Sequence, residues 1–586
     1  MPTCRRSHFI RWVVPLALVA LVLTPMLATA QQAPTTAPTT QAAAATPSPT
    51  PDPIGALGGA TSPLTTPNYW LAGQPDATTP KGGSFKPYAG DAPTAKEAYN
   101  LALNTTYHLN FVWTLIAGFL VMFMQAGFAL VETGLCRAKN AAHTMAMNFL
   151  VYPLGMLAFY VCGFAFMCGG ANYSGVGGPG GLGGMPTMNQ GITLGSEVNG
   201  DHGWLVLGTK GFFLTGDAYD GSVLVWFLFM MVFMDTTATI PTGALAERWS
   251  TKSFFVFSLF IGGVIYPIYG GWVWGGGWLA QLGYRMGWAH GVVDYAGSGV
   301  VHLQGGALAL VTSWLLGPRI GKYDSNGKPR AILGHNIPMV ILGTFILAFG
   351  WFGFNAGSSM AGSDGRIGVT AVNTMLAGSA AAFFGVLYMW LVYGKPDPSM
   401  ACNSMLAGLV AITAPCAFVT PWAACVIGAI AGIIVIWSVF FWERLGIDDP
   451  VGAISVHGVN GAWGILALGL FADGTYGAGW NGVGLDQYMN NVGQGVTGLF
   501  YGDSRQFLCQ VVDVCVCVGW NVIVGGVIFF VLGKVFGSNR VAPEIEIAGL
   551  DIPEMGAPGY PEYIDSVAPE QVPASEVAAA KAALAL

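Results

Sequence analysis

Residues 294–302 read DYAGSGVVH, and residues 449–457 read DPVGAISVH. Each stretch places a histidine eight residues after an aspartate, His302 after Asp294 and His457 after Asp449. Both histidines lie inside apolar runs. An ionisable side chain at membrane depth is costly, and by default it marks a conduction path or a proton relay. A matched pair in two segments points to a repeated architecture with its site at the repeat interface.

The chain around these stretches has 586 residues, 53% hydrophobic and 9% charged, whereas soluble domains carry about 25% charged residues. With many apolar runs of about 20 residues, this is a polytopic membrane protein. Its 84 glycines suit close packing of helices in lipid. The net charge of −7 is spread over loops and tails, and no basic patch suggests a nucleic acid. Ten cysteines are scattered along the chain, most of them within the apolar runs. None has zinc-ligand spacing beside histidines, and they read as small packing residues. The expectation is a chain with no cofactor, no metal and no catalytic residues, hence not an enzyme.

The organisation reads in four parts. Residues 1–30 resemble a signal peptide: Arg5, Arg6 and Arg11 precede an apolar core from Val13 to Leu23, and Ala28-Thr29-Ala30 is a small-residue cleavage site. Residues 31–108 form an exported tail, rich in Ala, Pro, Thr and Gln up to about residue 95 and expected to be disordered. Residues 109–536 form the membrane domain, and 537–586 a cytoplasmic tail. Eleven spans are expected, near 109–134, 143–168, 221–246, 253–276, 291–316, 332–355, 369–393, 402–420, 422–442, 453–472 and 509–536.

With the N-terminus outside, one set of loops and the C-terminal flank carries Arg137, Lys139, Arg248, Lys252, Arg319, Lys322, Lys328, Arg330, Lys395, Arg444, Lys534 and Arg540; the other set carries Lys210, Arg285, Arg366 and Arg505. That bias predicts N-terminus out and C-terminus in, across the cell (inner) membrane. Span five then enters from outside at Asp294 and span ten from inside at Asp449. The fold class is an all-α polytopic membrane protein of eleven transmembrane helices, an inverted five-plus-five repeat plus a final helix. Eight residues place each histidine about 12 Å from its own side, so the two meet near the midplane of a core about 30 Å thick. The other histidines lie elsewhere: His8 in the signal, His108, His143 and His335 at helix ends, His202 and His290 in outer loops.

Further stretches carry a resemblance: GFALVETGLCRAKN at 127–140, TGALAERW at 242–249, VWGGGWLA at 273–280, GWFGFNAGS at 350–358, VNT at 372–374, DDP at 448–450 and VHGVNGAWG at 456–464. Together with both Asp/His spacings, the chain resembles the ammonium transporter (Amt/Rh) family, on the Amt side, over roughly 109–560. The resemblance implies a homotrimer of eleven-helix subunits, each with its own narrow pore. It implies an outer ammonium-binding site of Trp274, Phe233 and Ser358, with Asp294 behind it ordering the backbone around Ala296 and Gly297. An indole face attracts a cation by about 0.5–2 kcal/mol, and a hydroxyl can accept a hydrogen bond from ammonium. Phe233 and Phe354 match the family's stacked gate, with Phe229 a lesser candidate.

Below the gate, His302 and His457 are expected to relay a proton. A bare ammonium ion in an apolar pore is costly unless it is paired or deprotonated, so the solute is expected to cross as ammonia while the imidazoles pass the proton. Asp449 mirrors Asp294 as the cap of span ten. Asp235, in FMDTTATIPTG at 233–243, departs from the family pattern and faces away from Phe233. The segment 540–562 resembles the family's cytoplasmic regulatory tail, with Arg540 and GLD at 549–551 matching best; it suggests a PII signal protein as partner. Two other readings stand beside transport. One is an ammonium sensor of the same fold. The other, from a different class, is a membrane oxidoreductase with haem held between the paired histidines.

Overall fold

The computed structural model describes residues 95–173, 178–183, 185–195, 203–484 and 494–561. The signal segment 1–30, the tail up to residue 94 and the chain from 562 lie outside the described residues. Ten helices are long and apolar enough to cross a membrane: α1 (Ala102–Leu135), α2 (Ala138–Cys168), α3 (Gly221–Leu245), α4 (Thr251–Val273), α5 (Ser298–Leu316), α6 (Ile337–Ser359), α7 (Arg366–Tyr393), α9 (Pro421–Arg444), α10 (Ile454–Phe471) and α11 (Ser504–Val535). The eighth expected span is the shorter apolar helix α8 (Pro398–Ile412). It stops in the run TAPCAF, where Pro415 has no N–H to continue a helix. The open turn that follows is buried, with Ala414, Cys416, Ala417 and Phe418 fully covered. Its carbonyls are satisfied from neighbouring segments: Tyr295 N–H donates to Ala414 O, and Asn373 Nδ2 donates to Cys416 O and Val419 O. Irregular backbone is tolerated in a membrane domain on such terms.

Two expectations change. The tail assigned to 31–108 is helical from Ala95 onward, where the helix that contains α1 begins. The segment AKEAYNLALNTTYH lacks Pro and Gly, and it is anchored by Tyr107, whose hydroxyl donates to Leu182 O and bonds Ser222. A small antiparallel ribbon, β1 (Gly191–Leu194) with β2 (Trp204–Gly208), interrupts the otherwise helical chain between α2 and α3.

The repeat shows itself in reciprocal glycine contacts. From the turns that precede α5 and α10 into the helices, the same pattern recurs at an offset of 155 residues: Asp294, Gly297, His302, Gly306, then Asp449, Gly452, His457, Gly461. A Cβ on Gly306 would lie 2.1 Å from Gly458 N, just past His457; a Cβ on Gly461 would lie 2.7 Å from Leu303 N, just past His302. The α1/α6 pair crosses in the same mutual way, Gly127 against Gly343 O at 2.9 Å and Gly343 against Gly127 O at 2.7 Å. Small residues let these backbones touch.

Four of the loops assigned to one side meet through ion pairs. Glu247 pairs with Arg137 (2.6 Å) and Arg319 (3.2 Å), and Arg319 pairs with Asp448 (2.8 Å). Burial alone would raise both carboxyls, but Arg319 with Arg137 holds Glu247 below the ordinary range, and Arg319 with Arg248 holds Asp448 well below it. On the opposite face Arg285 donates to Gly203 O and Asn481 to His290 O.

Candidate functional site

Both histidines sit in widened, π-helical turns at the entrances of their helices, Ser298–Leu303 and Ile454–Val459. The preceding aspartates explain how those turns are held. Asp294 Oδ1 accepts from the N–H groups of Gly297 and Ser298, and Oδ2 from those of Gly299 and Val300. Asp449 likewise takes the N–H groups of Val451, Gly452 and Ile454. Gly297 (φ 114°) and Gly452 (φ 82°) turn the chain through the left-handed region that a side chain would resist.

So fixed, the imidazoles meet. The Nδ1 atoms are 3.2 Å apart and the rings are near-parallel, 5.2 Å between centroids. His302 is fully buried and His457 nearly so. Neutral imidazole has one donor and one acceptor, so one Nδ1 donates and the other accepts. Their outer Nε2 atoms are then of opposite character, one acceptor and one donor, which suits a solute that can both give and take a hydrogen bond. His302 Nε2 has no partner among the described residues. Phe354 and Trp351 stack on His302, each ring at 5.3 Å, and Phe128 packs on His457 at 5.9 Å.

The aromatic pair lies directly above. Phe233 stacks on Phe354 with centroids 4.1 Å apart, both fully buried. Phe229 flanks Phe233 at 4.7 Å, and Trp274 meets it edge-on at 6.0 Å. Outside this stack lies a cavity of about 130 Å³ lined by Trp226, Phe229, Phe233, Trp274, Tyr295, Ser358 and Arg366, among others. It has room for a few water-sized solutes. Ser358 Oγ donates to Phe354 O (2.6 Å), which leaves its lone pairs for an incoming N–H donor. The Trp274 indole is fixed by its N–H to Asp294 O (2.7 Å). Asp294 itself does not line the cavity; its carboxylate is spent on backbone. Arg366 at the cavity wall is paired with Asp364 (2.7 Å), so its charge is offset locally.

All seven residues expected from the sequence therefore converge: Trp274, Phe233 and Ser358 around the cavity, Phe233 and Phe354 as its floor, His302 and His457 beneath, and Asp294 behind. Asp235 is buried within the chain, with Oδ1 unpartnered among the described residues. Tyr295 and Arg366 in the cavity wall were not foreseeable, since the turn that brings Arg366 over the Tyr295 ring (5.8 Å) joins distant segments. Glu132 and Asp513, both buried in membrane-crossing helices, were open to the simplest signal, an acid in an apolar run.

An inverted repeat of membrane-crossing helices with a buried polar pair at its centre is the architecture of a membrane transporter. Residues 112–560 match the Ammonium Transporter Family. The chain is 46% identical over 478 residues to Ammonium transporter Amt2 of Archaeoglobus fulgidus, covering 81% of this chain and 93% of that protein. It is 36% identical over 485 residues to Ammonium transporter Amt1 of Haloferax mediterranei, covering 79% and 81%. Among solved structures, one titled Sensor Amt Protein superposes with a TM-score of 0.64 at 34% identity, covering 77% of this chain and 100% of that one. Candida albicans Mep2 superposes with a TM-score of 0.61 at 25% identity, covering 76% and 88%. The chain belongs to the ammonium transporter family, on its Amt branch.

Proposed function

We propose that this protein carries ammonium across the membrane by recruiting NH4+ in the Trp274/Ser358 cavity, removing its proton near the Phe233/Phe354 stack and passing NH3 along the histidine pair. The observation that carries this reading is the contact between His302 and His457 directly beneath the aromatic floor of a cation-sized cavity. The indole face and the Ser358 lone pairs favour a cation; the fully covered rings below exclude a hydrated one. The imidazoles return the proton to the same path, so net charge moves.

The protein works, on this reading, as a homotrimer with its N-terminus outside and its C-terminus in the cytoplasm of the cell (inner) membrane. Apolar side chains exposed on α1 and α6, such as Phe119, Phe123, Phe345 and Phe349, fit subunit packing. The tail segment that would receive a PII protein lies against the loops: Leu550 N–H donates to Asn140 Oδ1, and His143 N–H to Asp551 Oδ1. The four-part division of the chain, with 1–30 cleaved as a signal, belongs to the same reading. The test is ammonium-evoked current from full-length protein in liposomes on a solid-supported membrane. A saturable current is expected, lost in His302→Ala and weakened at low ammonium in Trp274→Ala; its absence in the unaltered protein sinks net charge transport.

A second reading, an ammonium sensor with slow or no transport, is favoured by the likeness to a solved sensor protein; ammonium binding without flux would support it. The haem reading loses its support, because the two Nδ1 atoms touch and leave no room for a porphyrin between them.

A further inference from the structure

One turn beyond Phe128, the ring that packs on His457, α1 carries Glu132. Four residues of helix advance about 6 Å, which puts this carboxylate on the inner side of the histidine pair. It is buried, 3% exposed. One oxygen, Oε2, accepts from Asn148 Nδ2 (2.6 Å) and from Thr242 Oγ1 (2.8 Å), whose single proton is shared with Thr239 O (2.5 Å). Those donors are neutral and are themselves oriented: Thr239 Oγ1 donates to Asn148 Oδ1, and Gln125 Nε2 donates to Thr239 Oγ1. The amide nitrogen of Asn148 is thereby turned toward Glu132, with Thr144 O taking its second proton (3.1 Å). The other oxygen, Oε1, faces the gap between α3 and the Asp449 turn. A Cβ on Gly243 would lie 2.9 Å from it and 2.5 Å from the Val451 side chain, so glycine keeps that gap open.

The other acids of the inner end are already committed. Asp449 spends both oxygens on backbone N–H groups. Asp448 is held by Arg319, and Glu247 by Arg137 and Arg319. Glu132 pairs with no Lys or Arg among the described residues, and the one backbone group that reaches its carboxylate is that of Gly243, beside the open gap.

We infer that Glu132 is the inner proton acceptor of the pore, taking the relayed proton from His457 and returning it to departing ammonia. The step balances. The His457 imidazolium loses its N–H proton to the Glu132 carboxylate through bridging water, and becomes neutral imidazole. The resulting carboxylic acid gives that proton to the lone pair of NH3, yielding NH4+ and restoring the carboxylate. This inference rests on the histidine relay proposed above.

The test measures ammonium-evoked current from full-length protein in liposomes at a series of internal pH values, beside equilibrium ammonium binding. Glu132→Gln keeps an acceptor for Asn148 and Thr242 but cannot take a proton. Its current is expected to fall at least about tenfold and to lose its dependence on internal pH, with ammonium binding retained; Glu132→Asp is expected to keep that dependence. Unaltered current and internal-pH dependence in Glu132→Gln overturn the inference and leave the relay standing. Equal residual current with the same pH dependence in both variants also overturns it, as a structural effect. No current from the unaltered protein overturns the relay and this inference together. Should Glu132→Gln not assemble, Thr242→Val removes one donor to the same carboxylate: a shifted internal-pH midpoint supports the inference, and an unmoved one overturns it.

Discussion

Asp294 and Asp449 serve one purpose at the two helix entrances, yet they differ in how fully they are used. Asp294 accepts four backbone N–H groups, Asp449 three. An asparagine at either place turns one oxygen into a donor facing donors, and each buried group left unpaired costs about 1–3 kcal/mol. Asp294→Asn is therefore expected to lower the melting temperature in detergent more than Asp449→Asn, and to weaken ammonium binding by loosening the carbonyl that fixes Trp274. Equal melting, or unchanged binding in Asp294→Asn, would contradict this assignment. These two acids were legible because a fixed spacing ties each to a histidine. Glu132 lies in apolar sequence just as plainly, but no spacing links it to a partner; Asn148 and Thr242 come from two other helices. Trp274, Phe233 and Ser358 carry no pattern of their own either. Only the motifs around them placed them together, because tryptophan at a helix end and phenylalanine at helical spacing are ordinary in any membrane domain.

The crossing of α5 and α10 sets the distance between the imidazoles, and glycine sets the crossing. The Cβ of Gly306→Ala would meet backbone, Gly458 N at 2.1 Å, and that of Gly461→Ala would meet Ser298 O at 2.6 Å. Backbone cannot rotate out of the way as a side chain can. Both variants are expected to lose ammonium-evoked current through a separated histidine pair, and to melt several degrees lower, since overpacking costs about 1–3 kcal/mol. Gly365, with no atom within 4 Å of a built Cβ, provides the contrast: Gly365→Ala should leave current and melting unchanged. A functional Gly306→Ala would show that the pair tolerates a wider crossing. The helices themselves were legible from apolar runs, and most ends agree within a few residues. The π-helical turns at both histidines were not, because the Asp caps that hold them act through backbone geometry. Nor was the short α8, whose early end is compensated by Tyr295 and Asn373 from elsewhere in the fold.

At the scale of the whole molecule, the basic loops do more than indicate sidedness. Arg319 joins Asp448 and Glu247, tying together four segments, from the turn after α1 to the turn before α10. Both carboxyls are held below their ordinary values of 3.8 and 4.5 by the arginines beside them. A carboxyl depressed in the folded chain binds fewer protons there than when unfolded, so stability rises with pH across that window. The contribution is complete above about pH 4.5 and is withdrawn as pH falls through the carboxylate range toward the folded values. Thermal unfolding in detergent should show a plateau at neutral pH and a steep loss below about pH 4. In Asp448→Asn that acid-side loss should be shallower, because one of the two titrating groups is gone. At neutral pH the variant should be less stable by about 3–5 kcal/mol, because buried Arg319 keeps its charge and loses its bidentate partner. Arg319→Gln should share the neutral-pH penalty and leave two buried carboxylates that take up protons more readily, so its decline should begin at higher pH than in the unaltered protein. If all three proteins declined together, the acid sensitivity would belong to some other part of the molecule.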